Sequence, residues 1–158
     1  MNLEYLKKIL HYESEIGIWT WLISLSKRIQ IGQEAGTINL TTGYRQIQID
    51  KKIYSSSSLA WFYMTGEWPI NEVDHADLNR LNDVWDNLRL ASRSQNGLNK
   101  HVRKDSKLGV KGVRYRKTKR KFQARFRDKH LGYFETLEEA KIVYDKTILE
   151  YAGEFARF

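Results

Sequence analysis

The chain contains no cysteine. That excludes a disulfide framework and any Cys-ligated structural zinc, so folding must rest on the apolar core alone. No apolar run approaches the ~18 residues that span a bilayer, and the first residues lack a signal-like apolar stretch. No membrane association and a cytosolic location are therefore expected. The single proline, Pro69, stands just ahead of the segment in which the chemistry is concentrated.

What is present is charge, unevenly spread. At 158 residues the chain can form one compact domain or two small ones. Its net charge is +8, yet residues 100–134 hold fourteen Lys or Arg against two acidic residues, while residues 1–99 and 135–158 are net −1 and −3. A cluster of that size implies a polyanionic partner. Nucleic acid fits better than a membrane surface, because no apolar face accompanies the charge.

The densest constellation lies between residues 72 and 100. Glu72 to His75 and Asn87 to Leu90 alternate with period 2 around an Asp- and Asn-rich stretch, which predicts a long-looped hairpin. Ser92 is a good N-cap, and a helix follows through Asn96 to about Lys100. Strand, loop, strand, helix is the predicted order. Three residue types here suit metal-assisted phosphodiester hydrolysis. The imidazole of His75 can take a proton from water at neutral pH, since an unperturbed histidine titrates near ~6.5. Asp74 and Asn96 offer an anionic oxygen and an amide oxygen, donors for one hard divalent ion such as Mg²⁺ or Mn²⁺. Asn87 is expected to hold the hairpin and the His75 ring through hydrogen bonds. Neighbouring strand residues point to opposite faces, so Asp74 and His75 can share a site only at a strand end or a bulge.

Asp74-His75, Asn87-Leu88-Arg89 and Ser94-Gln95-Asn96 resemble the HNH (ββα-metal) endonucleases of phages and mobile introns, in the subgroup whose third position is Asn. The resemblance implies catalytic His75 and Asn87, metal ligands Asp74 and Asn96, double-stranded DNA as substrate, and products with a 5′ phosphate and a 3′ hydroxyl. It also implies a phage-type enzyme, homing-type ahead of restriction or packaging, all three remaining open, and the host cytoplasm as its location if it is phage-encoded. Residues before the motif are similar to what precedes it in phage HNH proteins, except that Ser57-Ser58 stand where those proteins carry His-Arg ahead of Leu-Ala-Trp.

Earlier in the chain, Leu3, Leu6 and Leu10 lie at helical spacing, and His11-Tyr12 is expected to end that helix. Glu13 to Gly17 reads as a turn and Ile18 to Trp21 as a strand with Trp19 and Trp21 on one face. Ser24 to Gly36 reads as a polar loop. Residues 43–49 and 53–54 form a predicted hairpin, and the serines at 55–58 open a helix that ends near Gly66.

Beyond a basic linker at 100–108, three antiparallel strands are expected over Gly109 to Arg116, Phe122 to Arg127 and His130 to Phe134. In the middle strand Phe122, Ala124 and Phe126 share one face, and Gln123, Arg125 and Arg127 the other. Thr136-Leu137-Glu138-Glu139 is a capping box for a helix whose stripe of Leu137, Ala140, Tyr144, Ile148 and Tyr151 covers the apolar face. An arginine-faced sheet can sit in a major groove. This segment resembles the plant ethylene-response-factor (APETALA-type) DNA-binding domain, through Gly112 to Arg116, Leu131 to Phe134 and Glu138 to Asp145. The family's base-contacting positions fall on Arg114, Arg116, Arg125, Arg127 and His130, with Arg125 in place of a usual Glu and His130 in place of a usual Trp.

The expectation is an α+β chain: an HNH endonuclease domain over 1–99, the linker 100–108, and a three-stranded antiparallel sheet packed on one helix over 109–158. The sequence leaves the oligomeric state open, with a monomer favoured. A DNA-binding or regulatory protein that descends from such a nuclease and has lost catalysis remains the alternative reading.

Overall fold

The computed structural model describes residues 1–103 and 105–158; position 104, inside the expected linker, lies outside the described residues. The chain divides into two compact units, Met1–Arg93 and Ser94–Phe158.

In the first unit, α1 (Leu3–Ile9) starts at Asn2, whose side-chain oxygen accepts the Tyr5 N–H at 2.8 Å, and it buries Leu6 and Ile9. Where the helix was expected to run to His11, the backbone turns extended at Leu10 and forms β1 (Leu10–Glu13). The cause is a change of period. Leu10 and Tyr12 are buried while His11 and Glu13 are exposed, and β1 pairs antiparallel with β2 (Ile18–Trp21), setting Leu10 against Trp21 and Tyr12 against Trp19. The turn from Glu13 to Gly17 is as expected.

The polar stretch after β2 carries no strand, but one bridge joins Thr20 to Glu34. A three-stranded antiparallel sheet follows: β3 (Thr37–Ile38), β4 (Arg45–Ile49) and β5 (Lys52–Ser55), with β4 in the centre. Asp50 and Lys51 both have positive φ, the geometry whose twist suits a two-residue hairpin loop. Then α2 (Ser56–Thr65) runs from an N-cap at Ser55 to Gly66 in the left-handed conformation. Ser55 makes no side-chain capping bond; its hydroxyl lies 2.9 Å from that of Ser57, which is buried. Leu6, Ile9, Trp19, Ile47, Ile49, Leu59 and Leu88 belong to one apolar core. The motif hairpin is thus anchored on that core through Leu88.

That hairpin is β6 (Glu72–His75) paired antiparallel with β7 (Leu88–Ala91), with Asp74 opposite Arg89 and His75 opposite Leu88. A single 3₁₀ turn, Trp85–Asn87, precedes β7, and α3 (Arg93–Leu98) follows it.

The second unit holds β8 (Val113–Arg116), β9 (Lys121–Phe126) and β10 (Lys129–Phe134), antiparallel with β9 central. Pairing slips by one residue between His130 and Gly132. The last helix, α4 (Leu137–Ala152), begins with the expected capping box between Thr136 and Glu139. Phe126, Tyr144 and Ile148 form this unit's buried cluster, against which Leu98, Val113 and Leu131 pack. No helix among the described residues is long and apolar enough to cross a membrane.

Candidate active site

The strand β6 stops at His75, so the strand-end arrangement, not a bulge, governs the Asp74-His75 pair. Both side chains are almost fully buried. Asp74 Oδ2 accepts the Arg89 Nε–H at 3.0 Å, a contact made by the residue directly across the hairpin.

His75 finds its partner in the loop. Its Nε2 lies 2.9 Å from Asp83 Oδ1, with the two side chains 3% and 2% exposed. The expectation that Asn87 holds the ring is therefore corrected: Asp83 holds it. Asn87 braces the loop, its Oδ1 accepting the Asp77 N–H at 3.0 Å and its Nδ2 donating to Asp77 Oδ1 at 3.0 Å and to the Asn82 carbonyl at 2.8 Å. Its backbone carbonyl also accepts the Ala76 N–H, closing the loop immediately after the histidine. Asp77 gathers bonds as well, from the Asn79 N–H at 2.8 Å and from Asn82 Nδ2 at 2.7 Å. Partial burial pushes the Asp77 carboxyl upward, but the bonds from Asn82, Asn79 and Asn87 outweigh it and hold the group below its ordinary value.

Asp83 is in turn held from the first hairpin. Tyr12 Oη donates to the Asp83 carbonyl, and the Trp85 N–H donates to the Ser14 carbonyl at 2.9 Å. Gly17, at φ +71°, comes so close that an added Cβ would stand 2.4 Å from the Asp83 carbonyl carbon. Burial, and then the Asp83 charge, push the Tyr12 phenol well above its usual value, so it remains a donor. The second carboxylate oxygen of Asp83 has no hydrogen-bond partner among the described residues.

One further side of the site was not apparent in the sequence. The Tyr44 ring lies 5.8 Å from the His75 ring, and the Arg80 guanidinium sits 5.0 Å over Tyr44 while Nη1 donates to the Thr42 carbonyl at 2.7 Å. Arg80 pairs with no carboxylate among the described residues, and it is exposed. Asp83, Tyr44 and Arg80 carried no distinguishing sequence signal, because polar loop residues and a hairpin tyrosine are common.

Asn96 lies on α3 and is half-buried; it belongs to the second unit, whereas Asp74 and His75 belong to the first. Among the described residues no three His, Cys, Asp or Glu side chains gather into a metal cage.

In the second unit, Arg114 stands opposite Gln123 and Arg116 opposite Lys121, so Arg114, Arg116, Gln123 and Arg125 fall on one face. With Gly112 and Val113 these residues line a concavity of ≈ 240 Å³. Arg116 Nε donates to Gln123 Oε1 at 2.6 Å, while Arg114 and Arg125 are exposed. His130 pairs with Arg125 and its ring lies 4.7 Å from that of Tyr133. Arg127 departs from the expected alternation. Strand β9 ends at Phe126, Arg127 has φ 52°, and its guanidinium stacks on Tyr151 and donates to Tyr151 Oη and Ser94 Oγ. Its charge is engaged away from the arginine face.

Residues 57–98, which contain the hairpin, its Asn-braced loop and α3, match the HNH endonuclease family, and that segment is an HNH nuclease-family domain. Protein 3.8 of Escherichia phage T7 is 36% identical over 90 residues, a stretch covering 54% of this chain and 74% of the phage protein. The chain belongs to the family of that phage protein. No solved structure matches it.

Proposed function

We propose that the protein is a metal-dependent HNH endonuclease that hydrolyses DNA phosphodiester bonds. The observation that carries the reading is the buried His75–Asp83 pair at the end of β6, next to the Arg89-paired carboxylate of Asp74, inside the segment that matches the family. His75 is the general base. It takes a proton from water as the water oxygen bonds to phosphorus; the bond from phosphorus to the 3′ oxygen breaks, and that oxygen is protonated from solvent. The products carry a 5′ phosphate and a 3′ hydroxyl.

The donor chemistry fits one hard divalent ion, Mg²⁺ or Mn²⁺. Asp74 presents a buried carboxylate and Asn96 an amide oxygen, a small set that suits an ion retaining water and phosphate among its ligands. When bound, such an ion polarises the scissile phosphate and steadies the leaving oxygen. The chain's own task is to hold Asp74 in place through Arg89 and His75 fixed at the strand end.

The second unit is the targeting module, with Arg114, Arg116, Arg125 and His130 reading double-stranded DNA. Support comes from the basic cluster at 100–134 and from the shared face of those arginines on β8 and β9. Arg127 contributes charge to this unit without facing the groove. A homing-type role in the host cytoplasm is the biological setting that fits a family member from a phage. Incubating supercoiled and linear DNA with the full chain and Mg²⁺, with and without EDTA, tests the reading. Nicked or linear product that disappears with the chelator is expected; metal-independent cutting, or none, overturns it.

A further inference from the structure

Asp83 is a buried carboxylate in a surface loop, and one of its oxygens is spent on histidine while the other has no partner among the described residues. A buried carboxylate oxygen without a partner is unfavourable, so the surrounding elements must hold the loop in this geometry. The restraint is visible. Tyr12, Ser14 and Gly17, all on or beside the β1–β2 turn, grip the backbone from Asp83 to Trp85 by two hydrogen bonds and one glycine-only approach.

We propose that Asp83 is the positioning residue of the general base, and that the β1–β2 turn is the clamp that aims it. The inference rests on the nuclease reading above. An ionised carboxylate has no proton to donate, so the 2.9 Å contact places the hydrogen on His75 Nε2 and the lone pair on Nδ1. Nδ1 is then the atom that accepts the proton when the water O–H bond breaks. The carboxylate keeps its own charge, stabilises the imidazolium that forms, and prevents the ring from turning. Asp83 touches neither substrate nor ion; it acts through His75.

The test uses the full chain and two readouts. In ¹⁵N-histidine spectra of the wild type, the neutral His75 ring carries its hydrogen on Nε2. In Asp83→Asn, which preserves shape but offers an amide N–H that can donate to Nε2, the Nδ1–H tautomer gains. Cleavage kinetics of the same variant show kcat lower by about 10- to 100-fold, the usual loss when an orienting partner is removed, with KM for DNA unchanged. Tyr12→Phe, which removes only the hydroxyl that grips the Asp83 carbonyl, moves kcat in the same direction by a smaller factor and leaves the pair itself intact. Wild-type cleavage with both variants unchanged in tautomer and kcat overturns the inference and leaves the nuclease reading standing. A wild-type chain that does not cut at all overturns both.

Discussion

At the scale of single residues, His75 and Asp83 cannot be treated as independent. His75→Ala removes the proposed base and should reduce cleavage by about 10²- to 10⁴-fold with DNA affinity near wild type. It also strips a buried carboxylate of its only side-chain hydrogen-bond partner among the described residues, a cost on the order of 3 kcal/mol. Combining it with Asp83→Asn should restore much of the melting temperature and none of the activity. Recovery of cleavage in the double variant would show that another group serves as base. Asp77 gives a pH dependence. Its folded value lies below the ordinary one near 3.8, so its contribution to stability is fully present above that value and is lost as pH falls through the folded value. The stability difference between wild type and Asp77→Asn in urea titrations should be constant above about pH 5 and shrink below about pH 4; a difference growing toward acid would reverse the sign of the effect. His75, Asp74 and Asn87 were singled out in the sequence because residue type and spacing together form a motif. Asp83 was not, since its role depends on a burial that a loop of Asp and Asn does not announce.

At the scale of elements, what was legible had one clear period. The motif hairpin and α4 each obey a single alternation or a single helical stripe, and they fold where expected. The errors arise where two periods overlap or a strand stops early. Leu10 completes the helical series Leu3, Leu6, Leu10 and also begins the alternation Leu10, Tyr12; cross-strand contact with Trp19 and Trp21 decides for β1. Arg127 continues the alternation of β9 on paper, but the tight turn to β10 requires a positive φ there and sends the side chain to Tyr151. Packing within the second unit yields a prediction. Gly112, at φ +64°, lies against the Tyr144 ring so closely that a Cβ would stand 1.8 Å from it. Gly112→Ala should therefore destabilise this unit by about 1 to 3 kcal/mol, through overpacking and backbone strain together. Thermal melting that is unchanged by the substitution would mean that β8 does not press on α4 in solution.

At the scale of the whole molecule, charge and chemistry are separated along the chain. Residues 1–99 are nearly neutral and hold every group proposed for catalysis, while residues 100–134 hold fourteen of the basic side chains. The separation is legible from composition; the compact units divide at Arg93/Ser94, ahead of the expected linker, and Leu98 packs with the apolar cluster of the second unit. If the second unit supplies the attraction to DNA, affinity must depend on counterion release. Each phosphate contact removed from the full chain should then flatten the slope of log affinity against log salt by about 0.9. Arg114 and Arg125 are exposed on the same sheet face, and they distinguish two modes of contact. An arginine that clamps phosphate, once changed to alanine, weakens all sequences alike and flattens the slope. An arginine that reads a guanine costs about 1 to 3 kcal/mol at preferred sites and changes which sites are cut. Arg127→Ala serves as the control, because its guanidinium is spent on Tyr151 and Ser94; its loss should lower melting temperature more than site selectivity. Binding across a salt series, with cut sites mapped for each variant, measures all three. If Arg114→Ala and Arg125→Ala both leave slope and cut sites as in the wild type, the arginine-faced sheet does not contact DNA, and targeting must come from the first unit.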